Sequence, residues 1–123
     1  MNYGANMIRE EELHQSALVR WFNLRFGSEI GRLFYHIPNG GHRNIKEAMK
    51  FKSVGVKSGV CDLFLSIPNS KYHGLYIEMK STKGKLTPNQ YKFINLVKEK
   101  GYDVFICKDW EKGKEYILEY LNG

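Results

Sequence analysis

The 123-residue chain is 42% hydrophobic and 14% aromatic, and its nineteen Lys and Arg outweigh thirteen Asp and Glu to give a formal net charge of +6. This length fits one domain, 1–123, with a single core, and no apolar run approaches the ~20 residues of a membrane-spanning helix. The acidic stretch Glu10 to Glu12 breaks any secretory-signal pattern, and two cysteines in apolar runs suit buried thiols better than a disulfide framework or a zinc knuckle, so a cytoplasmic protein is expected.

Leu13, Ala17, Trp21 and Leu24 recur at helical spacing, which predicts a first helix from about Glu10 to Phe26 with Gly27 as its stop. Leu33 to Ile37 reads as a short strand, ended by the turn-forming Pro38-Asn39-Gly40-Gly41. A second helix is expected from about Asn44 to Val54. The centre reads as a hairpin, with Val60 to Ile67 and Gly74 to Lys80 joined through a turn region at Pro68-Asn69-Ser70. Alternation puts Asp62, Phe64 and Ser66 on one face of the first strand and Tyr76, Glu78 and Lys80 on one face of the second. Thr87-Pro88-Asn89-Gln90 then opens a third helix with an N-cap, a proline at the first helical position and a capping-box partner. Gly101 ends that helix, Tyr102 to Cys107 returns as a strand, and an amphipathic helix covers about Glu111 to Leu121. The expected fold is therefore α/β, a mixed sheet of about four strands flanked by helices. Its third and fourth strands, separated by a helix, should pair in parallel.

Charge distribution points to chemistry. Between Ala48 and Lys98 lie nine lysines, among them Lys50, Lys52, Lys57, Lys80, Lys83 and Lys85, and only two acids, Asp62 and Glu78. A carboxylate pair in a basic half of a chain suits a metal site beside a phosphate-binding surface, whereas a solvated basic face with two incidental acids is the plain alternative. Glu78-Met79-Lys80 alone would pass for a surface pair, but it follows Leu75-Tyr76-Ile77, and Asp62 sits among Cys61, Leu63, Phe64 and Leu65. Charges near apolar strands need compensation. Two carboxylates about 4 Å apart repel by roughly 4 kcal/mol at an effective dielectric near 20, so such a pair should share a proton or hold a cation. Magnesium, a hard ion that keeps several waters, would suit it.

In a run of short motifs the chain resembles the VRR-NUC nucleases, a branch of the PD-(D/E)xK superfamily. The motifs are Glu11 with Gln15, Ile37-Pro38-Asn39-Gly40-Gly41 with Arg43, Gly55 to Leu63, Tyr76 to Lys80, and Leu86 to Gln90, with Gly101-Tyr102 before the last strand. Cys61 stands where the superfamily carries a proline. The resemblance implies a restriction-endonuclease-like core and a Mg²⁺- or Mn²⁺-dependent endonuclease with Asp62, Glu78 and the Met79 carbonyl as metal ligands and Lys80 as the catalytic lysine. It also implies roles for Glu11 and Gln90. Glu11, Gln15, Leu18 and Phe22 follow an i, i+4, i+7, i+11 line that can turn Glu11 inward, although Glu10 and Glu12 are rivals to Glu11 and Gln90 could serve only as a cap. Asn39 and Arg43 would contact DNA beside the site, or merely form a turn. DNA is the implied partner, with Lys50, Lys52, Lys57, Lys83 and Lys85 as candidate phosphate contacts. Standalone relatives suggest a homodimer acting on branched DNA such as four-way junctions in a bacterial or phage-infected cell, and Trp21 and Trp110 offer aromatic surface for it. Two other classes remain to be separated from this one, a non-catalytic nucleic-acid-binding module and a phosphoesterase acting on small molecules. The four histidines are expected to be surface or packing residues.

Overall fold

The computed structural model of the chain describes residues 3–38 and 45–123. Its first element, α1 (Tyr3–Gly31), is longer than the sequence pattern predicts at both ends. Gly27 does not stop it. With φ 88° and ψ 165° the residue adopts a backbone conformation open to glycine, kinks the helix, and lets helical turns resume to Gly31. Of the two lines the sequence offers on this helix, the one through Leu18 and Phe22 is fully buried, whereas on the other Leu13 is 65% and Leu24 80% exposed. The face turned inward is the one carrying Glu11, Gln15, Leu18 and Phe22. Leu13, two residues after Glu11, lies about 200° around the helix from it.

Four strands form one sheet in the order β1 (Phe34–His36), β2 (Leu63–Leu65), β3 (Leu75–Met79), β4 (Asp103–Cys107). The first two pairings are antiparallel and β3 pairs with β4 in parallel, as the intervening helix α3 (Pro88–Glu99) requires. Strand β2 is shorter than the expected Val60 to Ile67, because the chain before it is an irregular loop pressed onto α3. Gly59, at φ +83°, touches the main chain of Asn89 so closely that a Cβ there would fall 2.6 Å from its carbonyl. The Asn89 amide also donates to Ser58 Oγ at 3.0 Å.

One face of the sheet carries Leu63, Leu65, Leu75, Ile77 and Met79 against Leu18 and Phe22 of α1 and Ile117 and Tyr120 of α4 (Trp110–Leu121). Truncating a fully buried aromatic such as Phe22 in this layer costs about 3–5 kcal/mol. On the other face Phe64, Tyr76 and Tyr102 make mutual ring contacts, and Tyr76 meets Phe93 of α3 edge-on at 5.2 Å. Trp21 and Trp110 are partly buried and pack against the core. Cys61 and Cys107 are buried, free thiols. The remaining helix, α2 (Ile45–Ser53), has no buried residue and packs against no other element among the described residues. Asn39 and Arg43 lie outside the described residues. Among those described, no helix is long and apolar enough to cross a membrane.

Candidate active site

The β2–β3 register brings the two carboxylates together. Leu63 faces Ile77 across the ladder, so the next residue out on each strand sets Asp62 opposite Glu78. Asp62 is held at both ends: its Oδ2 accepts the Met79 N–H at 2.8 Å, and its carbonyl accepts the Ile37 N–H at 2.8 Å. Glu78 is 2% exposed. Its Oε2 accepts from Gln90 Nε2 at 3.3 Å and stands 3.9 Å from Lys80 Nζ, while its Oε1 is buried with no hydrogen-bond partner. Lys80 itself is only 9% exposed, and its N–H continues the parallel ladder to the Cys107 carbonyl at 2.9 Å.

Three consecutive glutamates on α1 have three different fates, because successive helical residues are rotated by about 100°. Glu11 turns to the site and accepts the Ser81 N–H at 3.3 Å. Glu10 binds the next residue along, taking the Thr82 N–H at 2.8 Å and the Thr82 hydroxyl at 2.6 Å. Glu12 lines the same 430 Å³ cleft as Glu11, Gln15, His36 and Asp62. Gln90 serves both purposes open to it in the sequence. Its Oε1 accepts the Thr87 N–H at 2.9 Å, completing the capping box, and its amide nitrogen reaches Glu78.

Electrostatics favour an added proton or cation. Burial raises the Glu78 carboxyl far above the ordinary carboxylate range, and Asp62 raises it further, while Lys80 pulls it back. Burial also raises Glu11, against the pull of the Ser81 N–H and Lys80. An ionised, buried Glu78 with an unpartnered oxygen is costly unless something positive meets it. Asp62, Glu78 and the Met79 carbonyl present hard oxygen donors, which fits a divalent cation, with Glu78 Oε1 as a free ligand position. Among the described residues no group of three or more His, Cys, Asp or Glu side chains is placed to hold a metal ion by itself.

The profile of the VRR-NUC domain family matches residues 9–110. The chain belongs to this family. A solved structure described as a VRR_NUC domain protein is 30% identical, with a TM-score of 0.77 over 91% of this chain and 88% of that one. No curated protein matches the chain. VRR-NUC domains are a nuclease-type family, and the mixed four-stranded sheet flanked by helices is the architecture that this chain shares with its structural neighbour.

Within this VRR-NUC fold, Glu11, Asp62, Glu78, Lys80 and Gln90 converge, drawn from α1, the start of β2, β3 and α3. Lys83 and Lys85 are exposed in the loop just beyond Lys80. Lys50 and Lys52 are exposed on α2, and Lys57 on the loop after it, so these three are not part of the carboxylate cleft. Two residues escaped the sequence reading. His36, at the end of β1, places Nδ1 2.8 Å from the Asp62 carbonyl and 3.0 Å from the Gln15 amide, and its ring lines the cleft. Its partners lie 26 and 21 residues away in sequence, and no local pattern announces such contacts. Ser81 is 1% exposed with an unpartnered Oγ directly beside Lys80, and only its place after the Glu-x-Lys triplet marks it. His14 and His73 pack as expected: His14 Nδ1 accepts the Trp110 N–H at 3.0 Å, and His73 lies edge-on to Tyr102, while His42 lies outside the described residues.

Proposed function

We propose that the chain is a metal-dependent endodeoxyribonuclease that hydrolyses phosphodiester bonds at the cleft built from Glu11, Asp62, Glu78, Lys80 and Gln90. The observation that carries this reading is the buried Glu78 carboxylate, with one oxygen unpartnered, facing Asp62 and beside a buried lysine. Asp62, Glu78 and the Met79 carbonyl would hold Mg²⁺ or Mn²⁺, which when bound neutralises charge developing on the phosphate and acidifies a water. Asp62 is aimed by the Met79 N–H, and Gln90 fixes the rotamer of Glu78. Lys80 supplies a cation beside the scissile phosphate and a hydrogen-bond donor to the attacking water. Glu11 contributes a third carboxylate at the rim, positioned by Ser81 N–H.

The preferred substrate in this reading is branched DNA, including four-way junctions, cut by a homodimer in a bacterial or phage-infected cytoplasm. One chain carries one cleft, and symmetric junction cleavage needs two sites related by a two-fold axis. The test is a panel of single strands, duplexes, flaps and four-way junctions incubated with Mg²⁺, Mn²⁺ or chelator, with Lys80→Ala as control and light scattering for the oligomeric state. Metal-dependent cuts that vanish in Lys80→Ala support the assignment, and paired nicks on a junction support the dimer. Tight, salt-sensitive DNA binding without cleavage under every metal condition would identify a binding module instead.

A further inference from the structure

The carboxylate cleft continues along α1. It shares Gln15, Ser16 and His36 with a second hollow of 540 Å³ whose far wall includes Val19, Arg20 and Leu24. The two hollows differ in chemistry. The first is lined by Glu11, Glu12 and Asp62, whereas the second has no carboxylate, one cation and an apolar wall. Arg20 makes no ion pair among the described residues. Ser16, Arg20 and Leu24 fall at i, i+4 and i+8, so the row leads away from the carboxylates along one line of the helix.

Resting on the nuclease reading above, we propose that this second hollow seats an unpaired nucleotide of the substrate strand, adjacent to the scissile phosphate. Its base lies against Leu24, Val19 and the His36 ring, and its phosphate against Arg20. A strand entering a cleft with three carboxylates needs a cation there, and the next phosphate needs a path free of carboxylates. The α1 hollow is that path, continuous with the cleft through shared walls. Its volume falls in the range of small-ligand sites, and an apolar wall with a guanidinium is the combination that holds single-stranded nucleic acid by stacking and charge. His36 joins the two hollows physically. Nδ1 of its ring meets the Asp62 main chain, so a base stacked on the ring would be registered against a carboxylate of the cleft. A nuclease built this way prefers DNA with an unpaired nucleotide next to the cut over continuous duplex.

The test uses the full chain and matched duplexes with and without a short unpaired extension, of either polarity, carrying a fluorescent base analogue in the unpaired position. Binding is measured in chelator and cleavage in Mg²⁺. Wild-type protein should prefer the extended DNA and alter the fluorescence of the analogue. In Arg20→Glu and Leu24→Asp, both exposed positions, the preference should fall by about tenfold, the size of one lost stacking or phosphate contact. His36→Ala should raise KM on extended DNA more than it lowers kcat. Equal binding of blunt and extended DNA by wild-type protein would overturn the proposal, as would variants that keep the full preference. So would a Leu24→Asp protein that loses only self-association in light scattering, since a second copy would then own the hollow. If wild-type protein cuts nothing, the nuclease reading fails, while the binding and fluorescence measurements still decide whether the hollow takes a nucleotide.

Discussion

Replacing Glu78 by Gln should make the metal-free protein more stable at neutral pH while abolishing its activity. In the folded state burial and Asp62 hold the Glu78 carboxyl well above its ordinary value of 4.5. An acid raised on folding keeps its proton in the native state at pH values where the unfolded chain has released it, so native stability falls as pH rises above the unfolded value. The slope for one proton is about 1.4 kcal/mol per pH unit. Between pH 5 and pH 7 wild-type protein should thus lose up to about 3 kcal/mol through this carboxyl, roughly 10 °C in Tm for a domain of this size. Glu11, also raised, adds a smaller share. In Glu78→Gln the larger share is gone, and the variant should melt above wild type at pH 7 and near it at pH 5. Thermal unfolding followed by circular dichroism in chelator across this range is the assay. Adding Mg²⁺ at pH 7 should stabilise wild type and leave the variant almost unmoved, since a ligand stabilises only the state it binds. Identical pH slopes for the two proteins would refute the argument that Glu78 carries a trapped proton.

Asp62→Ala and Lys80→Ala should each abolish cleavage while the protein remains folded by circular dichroism, and Asp62→Ala should bind DNA as tightly as wild type or more so in gel-shift titration, since a repulsive charge is gone. Thr87→Ala should cost about 1 kcal/mol of stability through the lost cap and leave most activity, whereas Gln90→Ala should lose the cap and also the donor to Glu78, and therefore activity. Comparing urea midpoints with turnover in these two variants separates the two duties of Gln90. DNA affinity should fall steeply with salt, with a log–log slope near −5 if about six phosphates are contacted, and Ala at Lys50, Lys52, Lys57, Lys83 or Lys85 should reduce that slope by about one wherever the lysine meets phosphate. A flat salt response would remove the basic face as the DNA surface.

Much of this architecture is written in short-range patterns. The capping box at Thr87 and Gln90, the stop at Gly101 and the strand on either side read directly, and with them the parallel β3–β4 pairing. The alternation that puts Asp62 and Glu78 on facing positions also survives in the register. What failed to read depends on contacts between distant segments. Two lines compete on α1, because Leu13 and Leu24 are as apolar as Leu18 and Phe22, and only packing against the sheet decides that the line carrying Glu11, Leu18 and Phe22 turns inward. The first strand of the hairpin is shorter than local preference implies: Val60 and Cys61 favour a strand locally, yet the loop they belong to is fixed by the start of α3. His36 resembles any polar residue at a strand end until Asp62 is brought beside it.

The close approach of Gly59 to Asn89 ties evolutionary tolerance to a residue with no chemistry of its own. Any side chain at Gly59 would push against the first turn of α3, and the next residue in that turn is Gln90, whose amide meets Glu78. The same displacement would pull on the loop leading into Asp62, three residues further along the chain. A saturation library scored for activity should therefore record Gly59 as intolerant as a catalytic position. Gly55, at φ +101° but with nothing within 4 Å of an added Cβ, should accept Asn, whose backbone visits that region more readily than other side chains do.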